Sequence, residues 1–273
     1  MNTQPIGVFD SGYGGLTILK EIARQLPAYD YLYMGDNARA PYGPRSFQQV
    51  YEYTLQAVQW FFKQGCPLVI LACNTASAKA LRTIQQNDLA KIGEGKRVLG
   101  VIRPTAELIG KLSPAGHVGV LGTKGTVQSE SYILEIKKIS HAVKVSQEAC
   151  PMWVPLIENN EYKSAGADYF VKQHIENLLA KDSNIDTILL GCTHYPLLID
   201  KIKQFIPNRV SVIEQGHIVA DSLKDYLDRH EAIEQKCSKG RGRTFYTTGE
   251  TTDFDIHAAH FYEGPVKSIF LQL

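Results

Sequence analysis

Short apolar runs alternate along this chain with stretches whose apolar residues repeat at the helical period. That pattern predicts an α/β fold with mostly parallel strands. Ile6-Gly7-Val8-Phe9 reads as a strand, and DSGYGG as the turn that ends it. Leu19, Ile22, Ala23 and Leu26 then fall at i, i+3, i+4 and i+7, one apolar face of a helix that Pro27 closes. Tyr31 to Met34 is a second strand, ending in Gly35-Asp36, and Gln48 to Gln64 a helix. Pro67 to Ala72 is a continuous apolar strand that runs into Cys73-Asn74-Thr75, with a helix from Ala76 to Gln86.

The pattern then restarts. Val98 to Ile102 and Val118 to Leu121 read as strands, the second followed by the loop Gly122 to Thr126 and a helix through Tyr132 to Ile139. Thr187 to Leu190 is an apolar strand ending in Gly191-Cys192-Thr193-His194. Pro196 and Pro207 bracket a helical segment; Val210 to Ile213 is a strand and Ile218 to Leu227 a helix. Lys236 to Arg243 reads as a mobile loop, with late strands at Phe245 to Thr247 and Val266 to Leu271. PLVILACNTAS and DTILLGCTHYP share one layout: an apolar strand, a small residue, Cys, then Thr within two residues. The echo predicts two similar lobes, each a mostly parallel sheet flanked by helices. Each lobe presents a cysteine at the carboxyl end of a strand, the edge where open α/β sheets bind ligands. Two such edges facing each other make a cleft with a thiol on either wall.

Composition narrows the classes. The 273 residues suffice for one large or two medium domains. A formal net charge of +1 gives no field favouring nucleic acid or a membrane surface. The basic cluster Lys236, Lys239, Arg241 and Arg243, interleaved with Gly and Ser, reads as a solvated loop rather than a polyanion site. MNTQPIGVFD lacks the pattern of a signal peptide, and no apolar run reaches membrane-spanning length. Five cysteines, an odd number without paired short spacings, argue against a disulfide framework and for a reducing, cytoplasmic setting.

A thiol ionises near pH ~8.5, closer to neutrality than most side chains. At a strand-to-helix turn, backbone N–H groups and the helix dipole favour an anion. Cys73 and Cys192 both stand at such turns, followed by Asn74, Thr75 and Thr193, side chains suited to a substrate carboxylate. Two bases on opposite faces of one carbon are what racemisation requires: one removes the proton, the other returns a proton to the opposite face. Asp10 and His194 stand where either could orient or tune a thiol. Other readings compete. Cys66, Cys150 and Cys237 read as small buried hydrophobes or bystanders. Asp10 and Asp36 serve equally well as helix caps, His194 as a structural histidine, and Tyr42, between Pro41 and Gly43, as part of a turn. The GYGG turn after the first strand, with Asp36 about 20 residues on, imitates a dinucleotide fingerprint and hence an NAD-dependent oxidoreductase. Thr17, where the third glycine belongs, breaks it. A zinc or redox-switch site on Cys73, Cys192 and His194 lacks any short paired spacing. No lysine stands in a recognisable Schiff-base context for pyridoxal phosphate.

IGVFDSGYGGLTILKEI, YMGDNARAPYG, LACNTASA and LLGCTHYPLL, in this order and spacing, resemble the bacterial glutamate racemases of the aspartate/glutamate racemase superfamily, and VGVLGTKGTVQSESY is similar too. The resemblance runs from about residue 6 to the late FYTTGE segment. It implies a cofactor-independent isomerase with no metal and an active site between two lobes. The first lobe would span residues 1–98 plus 214–273 and carry Cys73; the second would span 99–213 and carry Cys192. By that resemblance Cys73 would deprotonate D-glutamate and Cys192 L-glutamate, assisted by Asp10 and His194 respectively. Asp10, Ser11, Tyr42, Gly43, Asn74, Thr75, Thr193 and His194 would hold the substrate. Glu158, in VPLIEN, resembles a further carboxylate near the second thiol, although Asn159-Asn160 depart from the family pattern there. Arg103 stands where many members carry an acid. The resemblance also implies a role in supplying D-glutamate for peptidoglycan, and a homodimer. The nearest rival is an aspartate racemase or a related cysteine-pair isomerase; CTH rather than a CTE-type second motif favours glutamate.

Overall fold

The computed structural model describes residues 3–273. Its ten strands are β1 (Ile6–Asp10), β2 (Tyr31–Gly35), β3 (Leu68–Leu71), β4 (Arg97–Gly100), β5 (His117–Gly122), β6 (Lys144–Ala149), β7 (Thr187–Gly191), β8 (Ser211–Ile213), β9 (Arg243–Thr247) and β10 (Ser268–Phe270). They form two sheets, β10-β9-β2-β1-β3-β4 and β6-β5-β7-β8. Every pairing within them is parallel. Helices cover both faces of such sheets, so the central strands are buried on both sides and read as unbroken apolar runs rather than alternating ones. β1, β2, β3 and β7 are buried at every residue.

The order β2-β1-β3-β4 in the first sheet repeats as β6-β5-β7-β8 in the second. In each sheet the chain crosses from one side of the central strand to the other, between β1 and β3 and between β5 and β7. These are topological switch points, where a crevice opens at the carboxyl edge. β3 ends at Leu71, just before Cys73, and β7 ends at Gly191, immediately before Cys192. The two cysteines therefore occupy equivalent places in two lobes of the same core topology. β9 and β10 extend the first sheet beyond β2. The helix Gly216–Arg229 follows β8 and packs on the helix Leu16–Gln25, returning the chain to the first lobe.

Several elements differ from expectation. Strand β4 stops at Gly100, and a helix occupies Ile102–Leu112. Pro104 lies in its first turn, where a missing N–H costs no intrahelical bond, so the proline marks a helix start rather than a strand end. All four residues of β4 pair with β3, so the first sheet runs two residues past 98. The helix expected from Ala76 begins at Asn74, with Cys73 as its N-cap, and breaks at Ala80. The helix after Ser46 spans Phe47–Lys63 and opens with a capping box between Ser46 and Gln49. The segment read as a mobile loop is tethered: Gly240 and Gly242 donate their N–H groups to Asp30 Oδ1 at 3.0 and 2.6 Å, and Arg243 enters β9. Among the described residues no helix is long and apolar enough to cross a membrane.

Candidate active site

The first wall is built on β1 and β3. Asp10, the last residue of β1, is fully buried and accepts the Gly12 N–H at 2.9 Å. Burial lifts its carboxyl above the ordinary value, against the pull of His194 and of the Gly12 N–H. Cys73 is 5% exposed. Its Sγ accepts the Ala76 N–H at 3.4 Å and lies 3.5 Å from Ser11 Oγ. Burial, with the Asp10 carboxylate nearby, pushes the Cys73 thiol up to about 12, so at neutral pH it carries its proton.

The second wall follows β7. Cys192 is 6% exposed, and its Sγ lies 4.0 Å from His194 Nδ1. The other ring nitrogen, Nε2, is 2.9 Å from Glu158 Oε1. Burial alone would lower the His194 pKa; its hydrogen bonds to Cys192 and Glu158 overcome that and raise it to about 10. A positive charge therefore stands beside the Cys192 sulfur. Each wall is chemically distinct: a thiol facing a carboxylate on one, a thiol facing a carboxylate-backed imidazolium on the other.

The walls touch. Thr193 Oγ1 donates to Asp10 Oδ1 at 3.5 Å, and Thr17 Oγ1 donates to the Thr193 carbonyl at 3.0 Å. A negative charge on the Cys192 sulfur is close enough to raise the Cys73 thiol. A Cβ at Gly14 would land on the Thr193 hydroxyl and the His194 ring. The DSGYGG turn thus needs its glycine for the close approach of the second lobe, not for a pyrophosphate.

A model of the Asp/Glu/Hydantoin racemase family matches residues 6–223. The chain belongs to this family. The glutamate racemase of Listeria monocytogenes is 39% identical over 267 residues, 97% of each chain. The structure of glutamate racemase isoform RacE1 from Bacillus anthracis superposes with a TM-score of 0.90 at 34% identity, covering 100% of this chain and 99% of that one. The glutamate racemase of Francisella tularensis, solved in complex with D-glutamate, gives 0.88 at 29% identity, covering 100% and 98%. The two-lobed α/β fold is that of these racemases over the whole chain, and the dinucleotide reading of the GYGG turn falls with it.

Within this racemase fold the residues singled out from sequence separate into two sets. Asp10, Ser11, Cys73, Cys192, Thr193, His194 and Glu158 are linked around the meeting of the two strand edges by the contacts above. The remaining side chains are turned to structural partners. Tyr42 is buried and its hydroxyl donates to Asp36 Oδ2; burial and the Asp36 carboxylate hold that hydroxyl far above its ordinary pKa. The hydroxyl is spent, which leaves the backbone of Tyr42-Gly43 for a ligand. The Gly43 carbonyl accepts the Gly125 N–H at 3.0 Å, joining that turn to the second lobe. Thr75 Oγ1 lies 2.9 Å from Thr123 Oγ1, again across the lobes. Asp36 also accepts from Arg39 Nε at 2.7 Å and Thr248 Oγ1 at 2.8 Å, so it anchors the turn rather than a ribose. Arg103 pairs with Glu107 at 2.9 Å on an exposed helix face, apart from the thiols. Cys66, Cys150 and Cys237 are buried free thiols.

Residues not anticipated include Thr123 and Tyr132, which meet Thr75 and Asn74 across the lobes, and Gln215, which meets Asn74 from the segment that returns to the first lobe. Thr123 stood in the GTKGT loop after an apolar strand, which is a signal at the same edge as the cysteines. Tyr132 and Gln215 carried no local signal. A cavity of about 300 Å³ reaches Cys192 and Thr193 between the helices Leu16–Gln25 and Thr251–Tyr262, and Cys73 does not line it.

Proposed function

We infer that this chain interconverts L- and D-glutamate without a cofactor, using Cys73 and Cys192 as an acid/base pair. The observation that carries the reading is the pair of thiols at equivalent switch points of two facing lobes, in a chain 39% identical to a glutamate racemase over nearly its whole length. In the L-to-D direction the Cys192 thiolate, beside the His194 imidazolium, takes the α-proton. The negative charge left on the α-carbon delocalises into the adjoining carboxylate. The Cys73 thiol, which burial keeps protonated, delivers its proton to the opposite face. Cys192 ends as the thiol and Cys73 as the thiolate; the D-to-L direction reverses each step. Asp10 stands with Cys73, and Glu158 holds the His194 ring and its charge. Ser11, the Tyr42-Gly43 backbone, Asn74, Thr75 and Thr193 would hold the substrate's carboxylates and amine. The lobes carrying these two stations are residues up to about 100 plus the segment after 213, and the segment between.

The product supplies D-glutamate for peptidoglycan. A cytoplasmic setting is supported by five free cysteines, and a homodimer by the family resemblance. Incubating the protein with L-glutamate in heavy water tests the reaction: optical rotation falls while deuterium enters the α-carbon. Absence of both signals from folded, reduced protein rejects glutamate, and the same assay with aspartate then decides the rival substrate. Cys73→Ala and Cys192→Ala each abolish racemisation; full activity in either refutes the two-thiol mechanism.

A further inference from the structure

Adjoining Cys73 is a closed ring of side-chain hydrogen bonds. Asn74 Nδ2 donates to Gln215 Oε1 at 2.8 Å. Gln215 Nε2 donates to the Tyr132 hydroxyl oxygen at 2.7 Å. The Tyr132 hydroxyl donates to Asn74 Oδ1 at 2.6 Å, closing the circle. Each group donates once and accepts once around the ring. The second Nε2 hydrogen of Gln215 goes to Thr105 Oγ1 at 2.9 Å, and the Thr105 hydroxyl in turn donates to the Val101 carbonyl at 3.1 Å. All four side chains are buried.

Such a ring, with its anchor, admits one arrangement. Flipping one carboxamide sets donor against donor or acceptor against acceptor, and rotating the tyrosine hydroxyl away strands Asn74 Oδ1. Flipping both would close the ring in the opposite sense, but it would turn Gln215 Oε1 onto the Val101 carbonyl, which lies 3.2 Å from Gln215 Nε2 and accepts from it. A buried polar group left unpaired costs about 1–3 kcal/mol, so each alternative is disfavoured roughly fivefold to more than a hundredfold. The other Nδ2 hydrogen of Asn74 has no protein acceptor among the described residues. The ring also spans the lobes. Asn74 follows Cys73 in the first, Tyr132 lies on the second-lobe helix Ser131–Ile139, and Gln215 sits where the chain leaves β8 for the helix Gly216–Arg229.

We propose that Gln215, acting with Tyr132, is a positioning residue: it fixes the Asn74 carboxamide in one orientation, with its free N–H presented to a substrate carboxylate beside Cys73. The proposal rests on the glutamate reading above and adds the group that sets the geometry of one of its binding residues.

Gln215→Met keeps the side chain's length and removes its donor and acceptor. Tyr132→Phe removes the hydroxyl and keeps the ring's packing. Each lowers kcat/KM for glutamate by about tenfold to a hundredfold. In an Asn74→Ala background neither change costs more than about twofold further, because the group it positions is gone. Losses that multiply in the double variants show a structural role and overturn the inference. A second arm needs no substrate. The two side-chain amide protons of Asn74 give separate, sharp NMR signals in the unaltered protein, and they shift or broaden in both variants. Unchanged Asn74 signals in folded variants overturn the inference whatever the substrate. An unaltered protein that leaves glutamate untouched refutes the functional reading instead, and the NMR arm still decides the ring.

Discussion

Replacing Glu158 by glutamine should move the alkaline limit of activity while leaving the site's shape intact. The glutamine carbonyl still accepts the His194 Nε2–H, now 2.9 Å from Glu158 Oε1, but the negative charge is gone. His194 is buried, and its pKa of about 10 is raised by two hydrogen-bonded partners, Cys192 and Glu158. A hydrogen bond to a charged group contributes about 1.5–3 kcal/mol, and 1.36 kcal/mol corresponds to one pKa unit. Glu158 is partly exposed, which screens its charge and favours the lower half of that range. Removing the charge therefore lowers the His194 pKa by about 1–2 units. The assay is kcat/KM for L-glutamate across pH 6 to 10.5, followed by circular dichroism, since this parameter reports the ionisations of the free enzyme. The alkaline limb should shift down by about 1–2 units, and an NMR titration of the His194 ring should shift with it. Stability provides a check of sign. A raised histidine pKa stabilises the fold fully below the ordinary value near 6.5 and loses that contribution as pH rises through the folded value. The unaltered protein therefore loses the contribution progressively from about pH 6.5 to about pH 10, and in the variant it is exhausted at a lower pH. An alkaline limb and a His194 titration that both stay in place would refute the claim that Glu158 holds the imidazolium.

Two further substitutions probe the frame. Tyr42→Phe removes the hydroxyl that donates to the buried Asp36 carboxylate and should cost about 1–3 kcal/mol in urea unfolding; a variant as stable as the unaltered protein would refute the anchoring role assigned to that hydroxyl. Gly14→Ala places a methyl group on the Thr193 hydroxyl and the His194 ring, an overpacking that costs about 1–3 kcal/mol and forces the lobes apart. By the same energy scale its kcat/KM should fall by about fivefold to more than a hundredfold, and unchanged rates would show that the approach at Gly14 is not needed for catalysis.

The parts of this molecule that were legible in its sequence are those whose cause is local. β1, β2, β3 and β7 are buried on both faces, so each stands out as an apolar run. Strand β6, KVSQEA, lies at a sheet edge with every residue at least partly exposed, and its polar sequence gives no such contrast. The helix Ala165–Lys181 escaped because its buried positions Ala167, Val171, His174, Ile175 and Leu178 are interrupted by a histidine and a small residue. The helix Thr251–Tyr262 mixes apolar and polar residues around its circumference, burying Phe254, Ala258 and Phe261 while exposing Ile256. In the site, Cys73 and Cys192 declared themselves because each follows a strand in a short repeated context, while Asp10, at the end of β1, and His194, two residues after Cys192, stood out by their place at strand ends. For Tyr42 the turn was legible, but the destination of the hydroxyl depended on Asp36, itself fixed by Arg39 and by Thr248 from the far end of the chain. Tyr132 and Gln215 lie far from Asn74 in sequence, and only the docking of the lobes brings them together.

The two stations of this site share a backbone plan and differ in electrostatics. The repeated strand order delivers a cysteine to the same place in each lobe, so the frame alone would make the thiols equivalent. What breaks the equivalence is the residue at the partner position. The central strand of the first lobe ends in Asp10, beside Cys73; the corresponding strand of the second ends in Gly122, followed by Thr123, and contributes no charge. Cys192 instead takes its charged neighbour, His194, from its own turn, with Glu158 behind it. Burial and the Asp10 carboxylate keep the Cys73 thiol in its neutral form, whereas the charge next to the Cys192 sulfur is the positive one of His194. The repeated strand order thus brings a thiol to the carboxyl edge of each lobe, and three side chains outside the repeat, Asp10, His194 and Glu158, make the two stations electrostatically different.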